Sequence, residues 1–203
     1  MKKIATLIML MAVAITGLAA TPTARQVLDN CNEKIKNSMS LVITYTLTAD
    51  GHTSDGQLII SGDRFTISSA DMMSWYDGKT QWTYARQIGE VNIITPTPEE
   101  LQQINPFAII RSFSDNYDKS IASETATTTT LMLKPRKSGG DITMAKIAVS
   151  NSTWLPTHIT IGLSNGHNVE IAIKKIDKGG AFPTTFFRFN KSKFPGVQVV
   201  DLR

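Results

Sequence analysis

Residues 71–86 read Asp71-Met72-Met73-Ser74-Trp75-Tyr76-Asp77-Gly78-Lys79-Thr80-Gln81-Trp82-Thr83-Tyr84-Ala85-Arg86. Two short runs rich in aromatic side chains flank Asp77-Gly78, a pair whose glycine readily takes the positive φ that a tight hairpin turn requires. The stretch therefore predicts a β-hairpin, with Trp75 and Trp82 beside the turn. The same grammar continues in both directions. Upstream, Leu41, Ile43, Tyr45 and Leu47 alternate with Val42, Thr44, Thr46 and Thr48, a strand pattern with one apolar face. Further strands are predicted at 54–61, 63–69, 71–77, 80–86 and 90–95, with breaks at Asp50-Gly51, Gly62-Asp63, Asp77-Gly78 and Gly89. Beyond an interruption come strands at 117–123, 127–134, 141–150, 157–164 and 167–176, and a short one near 196–201. Short spacings and hairpin turns favour an antiparallel meander over βαβ units. About a dozen such strands do not stay flat, so a barrel or half-barrel is expected.

Two helical regions break this pattern. In Thr21-Pro22-Thr23 a threonine serves as N-cap with proline in the first turn. Ala24, Val27, Leu28, Cys31 and Ile35 then form one apolar stripe. The interruption of the meander begins with Thr97-Pro98-Glu99-Glu100, where Thr97 is a cap and Glu100 completes a capping box. Leu101 and Ile104 follow, Asn105-Pro106 breaks the helix, and Phe107–Phe113 is strongly apolar. Helices inserted there lie across a sheet face or an open end, either as a fixed plug or as a movable lid.

Residues 1–20 differ from the rest. Lys2 and Lys3 precede an apolar run from Ile4 to Ile15, and Thr16-Gly17-Leu18-Ala19-Ala20 supplies small residues. This is the plan of a secretory signal peptide, with cleavage expected after Ala19 or Ala20 and residues 21–203 forming one exported domain. The formal charge of +4 shrinks accordingly, because two of the 21 basic residues and none of the 17 acidic ones belong to the leader. No basic stripe remains, which argues against a nucleic-acid partner. The only cysteine, Cys31, lies well past the cleavage site, where no lipid anchor is attached, and it cannot form an internal disulfide.

Reaction machinery is sparse. Gly78-Lys79-Thr80 matches the end of a P-loop, but Met73 stands where the first glycine belongs. HExxH, CxxC, GxSxG and GxGxxG are missing. His52 and His167 adjoin turns, His158 opens a strand, and Asn151 and Asn190 begin glycosylation-type triplets. No catalytic residue, metal site or cofactor is therefore expected. More conspicuous are Met72, Met73, Trp75, Trp82, Tyr84, Phe107, Phe113 and Trp154, which would fill a small barrel or line a hollow one. Periodicity leaves both open.

The order of these features resembles the LolA family of periplasmic outer-membrane lipoprotein carriers. The similarity rests on the N-terminal helix, Asp77-Gly78-Lys79-Thr80-Gln81-Trp82-Thr83-Tyr84, the Asn105-Pro106-Phe107 helix, Phe187-Arg188-Phe189 and Pro195–Asp201. The resemblance implies an incomplete antiparallel β-barrel of about eleven strands, mainly β with helices covering an apolar cavity. It implies a monomeric periplasmic chaperone, not an enzyme, whose cargo is acylated lipoproteins. An inner-membrane ABC transporter would supply the cargo and an outer-membrane receptor would take it, with only transient membrane contact. Leu41, Ile43, Tyr45, Phe65, Ile67, Met73, Trp75, Trp82 and Tyr84 would line the cavity, and Leu101, Ile104, Phe107, Ile109, Ile110 and Phe113 would form the lid. The family carries a basic residue followed by proline at the start of its third strand, implicated in lid control. Here Ser61-Gly62-Asp63-Arg64-Phe65 lacks the proline, and Arg64 is the candidate counterpart. Competing readings are a same-fold carrier or sensor of another amphiphile, such as a glycolipid, and an exported lipid hydrolase.

Overall fold

Alternating apolar residues, separated by turns that only a few side chains tolerate, build the whole architecture. The computed structural model describes residues 21–98, 100, 101, 105, 107 and 116–203. Helix α1 spans Ala24–Lys36, with its five predicted apolar residues buried. Thr23 is its N-cap and forms a reciprocal capping box with Gln26. Pro22 therefore precedes the cap instead of occupying the first turn.

Among the described residues twelve strands follow: β1 (Leu41–Ala49), β2 (His52–Ser61), β3 (Arg64–Ser69), β4 (Met72–Tyr76), β5 (Gln81–Ala85), β6 (Glu90–Ile94), β7 (Tyr117–Glu124), β8 (Thr128–Pro135), β9 (Ile142–Ser150), β10 (Pro156–Leu163), β11 (Asn168–Lys178) and β12 (Gln198–Asp201). They form one sheet ordered β12-β6-β5-β4-β3-β2-β1-β11-β10-β9-β8-β7, which does not close. The barrel is thus incomplete, as expected, with twelve strands where the family resemblance implied about eleven. Eleven pairings are recorded and all but one are antiparallel. The exception is β12, which runs parallel to β6. After β11 the chain travels from the middle of the sheet to its edge, a crossover long enough to permit parallel pairing.

The sheet curls around one apolar cluster. Ile43, Leu58, Phe65 and Ile67 from one side meet Leu131, Leu133, Ile147 and Ile159 from the other, with the α1 stripe and Phe107 among them. Cross-strand partners share a face, so the register assigns each side chain. Ile43 pairs with Leu58, Leu58 with Ile67, Ile67 with Ser74, and Ser74 with Thr83. That row is the concave face. Strand β12, beside β6, forms one edge of the sheet and β7 forms the other.

The opposite, outer face has its own cover. Residues 179–197 form an arm with 3-10 turns at Thr184–Phe187 and Lys191–Lys193. Trp75 lies 5.6 Å from the rings of both Phe189 and Phe194, and Tyr84 lies 5.1 Å from Phe194. Among the described residues no helix is long and apolar enough to cross a membrane.

Candidate functional site

The concave face opens at one end into a cavity of about 460 Å³. Tyr45 and Leu47 from β1, Ile142 from β9, Ile161 and Leu163 from β10, and Val169 and Ile171 from β11 line it, with Asp141, Ser164 and Asn165 at the rim. These residues converge because β-branched and leucine side chains alternate on four strands whose register is fixed by pairs such as Leu47–Ile171, Ile159–Ile171 and Ile161–Ala145. The volume lies within the range of about 300–1,000 Å³ typical of small-ligand sites. Turns β1–β2 and β10–β11 meet near the rim, where His167 Nδ1 lies against Asp50 Oδ1. Burial raises the Tyr45 phenol above its ordinary range. The Tyr45 ring lies against Gly56, and a Cβ at that glycine would stand 2.5 Å from the ring.

The nine residues expected on one cavity wall divide between two faces. Leu41, Ile43, Tyr45, Phe65 and Ile67 are buried on the concave face. Met73 and Trp75 on β4, and Trp82 and Tyr84 on β5, have the opposite parity and point outward. There Trp75 and Met73, with Phe186, Arg188 and Phe194 of the arm, line a groove of about 540 Å³. The aromatic excess noted in the hairpin thus serves as the seat of the C-terminal arm. Arg64 also faces outward, its guanidinium carbon 5.2 Å from the ring centroid of Phe187 in the arm. Sequence reading missed Leu47, Ile142, Ile161, Leu163, Val169 and Ile171. Their alternation was visible, but nothing local distinguished strands around a hollow from strands around a filled core.

Of the six lid residues, Leu101 is half-buried against the core and Phe107 is fully buried within it. Ile104, Ile109, Ile110 and Phe113 lie outside the described residues, as does the leader at 1–20. The predicted capping box is present. Thr97 N–H donates to Glu100 Oε2 at 2.7 Å, and Glu100 N–H donates to Thr97 Oγ1 at 3.2 Å.

The suspected chemical motifs take structural roles. The Asp77 carboxylate accepts from the N–H groups of Lys79 and Thr80, so Gly78-Lys79-Thr80 is a hairpin tip. Burial pushes the Cys31 thiol up to about 12, which keeps it protonated and unreactive. Among the described residues no group of three or more His, Cys, Asp or Glu could hold a metal ion.

Comparison with known proteins sharpens this description. The family model described as "Outer membrane lipoprotein carrier protein LolA" matches residues 16–161. No curated protein matches the sequence. Among solved structures, an uncharacterized conserved protein from Thermus thermophilus is similar with a TM-score of 0.61 at 10% identity, over 88% of this chain and 98% of that one. A DUF1329 family protein from Desulfovibrio piger gives 0.50 at 12% identity, over 86% and 100%. MucB of Pseudomonas aeruginosa, in its complex with MucA, gives 0.51 at 15% identity over 87% of this chain and 63% of that chain. These structures share the fold, and the family model covers most of the sequence. The chain belongs to the LolA family of outer membrane lipoprotein carriers.

Proposed function

We propose that this protein is a periplasmic carrier that holds the acyl chains of lipoproteins against its concave face and moves them between membranes. The observation that carries the reading is an open cavity walled by aliphatic side chains at the mouth of an unclosed sheet. A buried methylene contributes about 0.8 kcal/mol, so burial alone can retain an acyl chain. Because no reacting group is required, the scarcity of catalytic motifs fits the same reading. Export by the leader, cargo supply by an inner-membrane transporter and delivery to an outer-membrane receptor belong to the proposal through the family.

Displacement of a fluorescent alkyl probe by long-chain acyl compounds tests it. Leu163→Gln and Val169→Gln place amides on the half-buried cavity wall and should each weaken binding about tenfold. The outer-face change Trp82→Gln should leave binding unchanged. Equal affinity in all three variants would remove the cavity from the account.

A further inference from the structure

The groove on the outer face differs from the cavity in both floor and charge. Two adjacent cross-strand rows make its floor: Ile59, Thr66 and Trp75 form one, and Gln57, Ser68 and Met73 form the next. The arm rises beside them and contributes Phe186 and Phe194. Ile59 and Met73 are half-buried and Phe186 is 38% exposed, so apolar surface stays open to solvent there. Three strands about 4.8 Å apart make the floor roughly 10 Å long, the reach of three extended residues at about 3.3 Å each. The arm at 179–197 holds five phenylalanines, three basic residues and no acidic one. Among the described residues that line the groove none is Asp or Glu, whereas Arg188 and Lys193 are both present. Lys193 is exposed and has no ion-pair partner among the described residues. Arg188 gives Nε to Asp77 Oδ2 at 2.9 Å, which fixes the guanidinium while its terminal nitrogens make no hydrogen bond to the described residues. The complementary occupant is apolar with a negative charge beside it.

Polar groups in the lining decide between a peptide and a second acyl chain. Gln57, Thr66, Ser68 and Asn190 all face the groove, and Asn190 spends its carbonyl oxygen on Ser192, which leaves its amide N–H groups for a ligand. A hydrocarbon chain would desolvate such groups without replacing their hydrogen bonds, whereas a peptide backbone brings both donors and acceptors. We propose that the groove docks an extended acidic segment of a partner protein. A large apolar side chain of that segment rests on Ile59, Met73 and Trp75, and a nearby carboxylate pairs with Lys193 and the terminal nitrogens of Arg188. The groove lies on the face opposite the cavity, so a partner bound here leaves the concave face free. The inference does not depend on what the cavity holds.

A random heptapeptide phage library, panned on the full mature chain and counter-selected on Lys193→Glu, tests the proposal. Enriched peptides should place Asp or Glu within two residues of an aromatic or large aliphatic side chain. Labelled with fluorescein, the best of them should bind the unmodified protein by anisotropy and weaken at higher salt. Lys193→Glu, at an exposed position, and Met73→Gln, on the groove floor, should each weaken it about tenfold. Both variants should keep the affinity of the cavity for the alkyl probe, and Leu163→Gln should keep the peptide, which separates this inference from the acyl-binding reading. No enrichment over Lys193→Glu, or enriched peptides that lack an acid, overturns the proposal. Two further measurements would overturn it by naming a different occupant. One is co-sedimentation with phosphatidylglycerol–phosphatidylcholine vesicles that is lost in Lys193→Glu, which gives the face to a membrane. The other is a dimer in sedimentation velocity that Lys193→Glu dissociates, which gives it to a second copy of the chain.

Discussion

Gly56 and Tyr45 face each other across β1 and β2, and their packing sets the shape of one cavity wall. With a Cβ at residue 56 only 2.5 Å from the ring, Gly56→Ala must displace Tyr45 or the backbone, an overpacking cost of about 1–3 kcal/mol. Urea denaturation should show that loss. In the Tyr45→Leu background the same substitution should cost much less, since the ring is gone. Asp77 offers a second test. Burial would raise its carboxyl, but N–H donation from Thr80 and Lys79 and the Arg188 guanidinium at 2.9 Å outweigh that and hold it below the usual range. A depressed carboxyl favours the fold above the ordinary carboxylate pKa of about 3.9 and loses that contribution as pH falls further. The urea midpoint should therefore drop on acidification below about pH 4. Asp77→Asn should flatten part of that drop and lower the midpoint at neutral pH. None of this was readable from composition. Asp77-Gly78 announced a turn, whereas its ion pair with Arg188 joins residues far apart in the chain.

Elements were more legible than the faces they present. The apolar stripe of α1, the hairpin at Asp77-Gly78 and the capping box of Thr97 with Glu100 each depend on neighbours within a few residues, and local chemistry is enough to specify them. Parity is a different matter for β4 and β5, which carry large side chains on both faces. Period-two reading naturally assigns the bulkiest, Trp75 and Trp82, to the interior. They face outward because the arm at 179–197, more than a hundred residues downstream of Trp75, supplies Phe189 and Phe194 to cover that side. Phe194→Ala removes the ring that touches both Trp75 and Tyr84. It should cost about 1–3 kcal/mol, raise tryptophan exposure to quenchers, and leave acyl-probe affinity unchanged. Thr97→Ala, which deletes a cap, should cost about 1 kcal/mol, measured as a shift in the urea midpoint.

At the scale of the whole molecule the meander was visible and the hollow was not. Turn residues and alternation predict how many strands follow one another, and twelve do. Whether a curled sheet leaves space inside depends on how α1, Phe107 and the strands from both ends share one core, a sum of long-range contacts. The open cavity and the parallel β12 both arise at that level, and so does the function proposed for the cavity. The direct measurement is identification, by mass spectrometry, of what is bound to the protein purified from the periplasm of its own host. The account predicts triacylated lipoproteins, lost or reduced in Leu163→Gln. Recovery of free glycolipid in their place would contradict lipoprotein carriage, and turnover of an ester lipid that depends on a single serine or histidine would contradict carriage altogether.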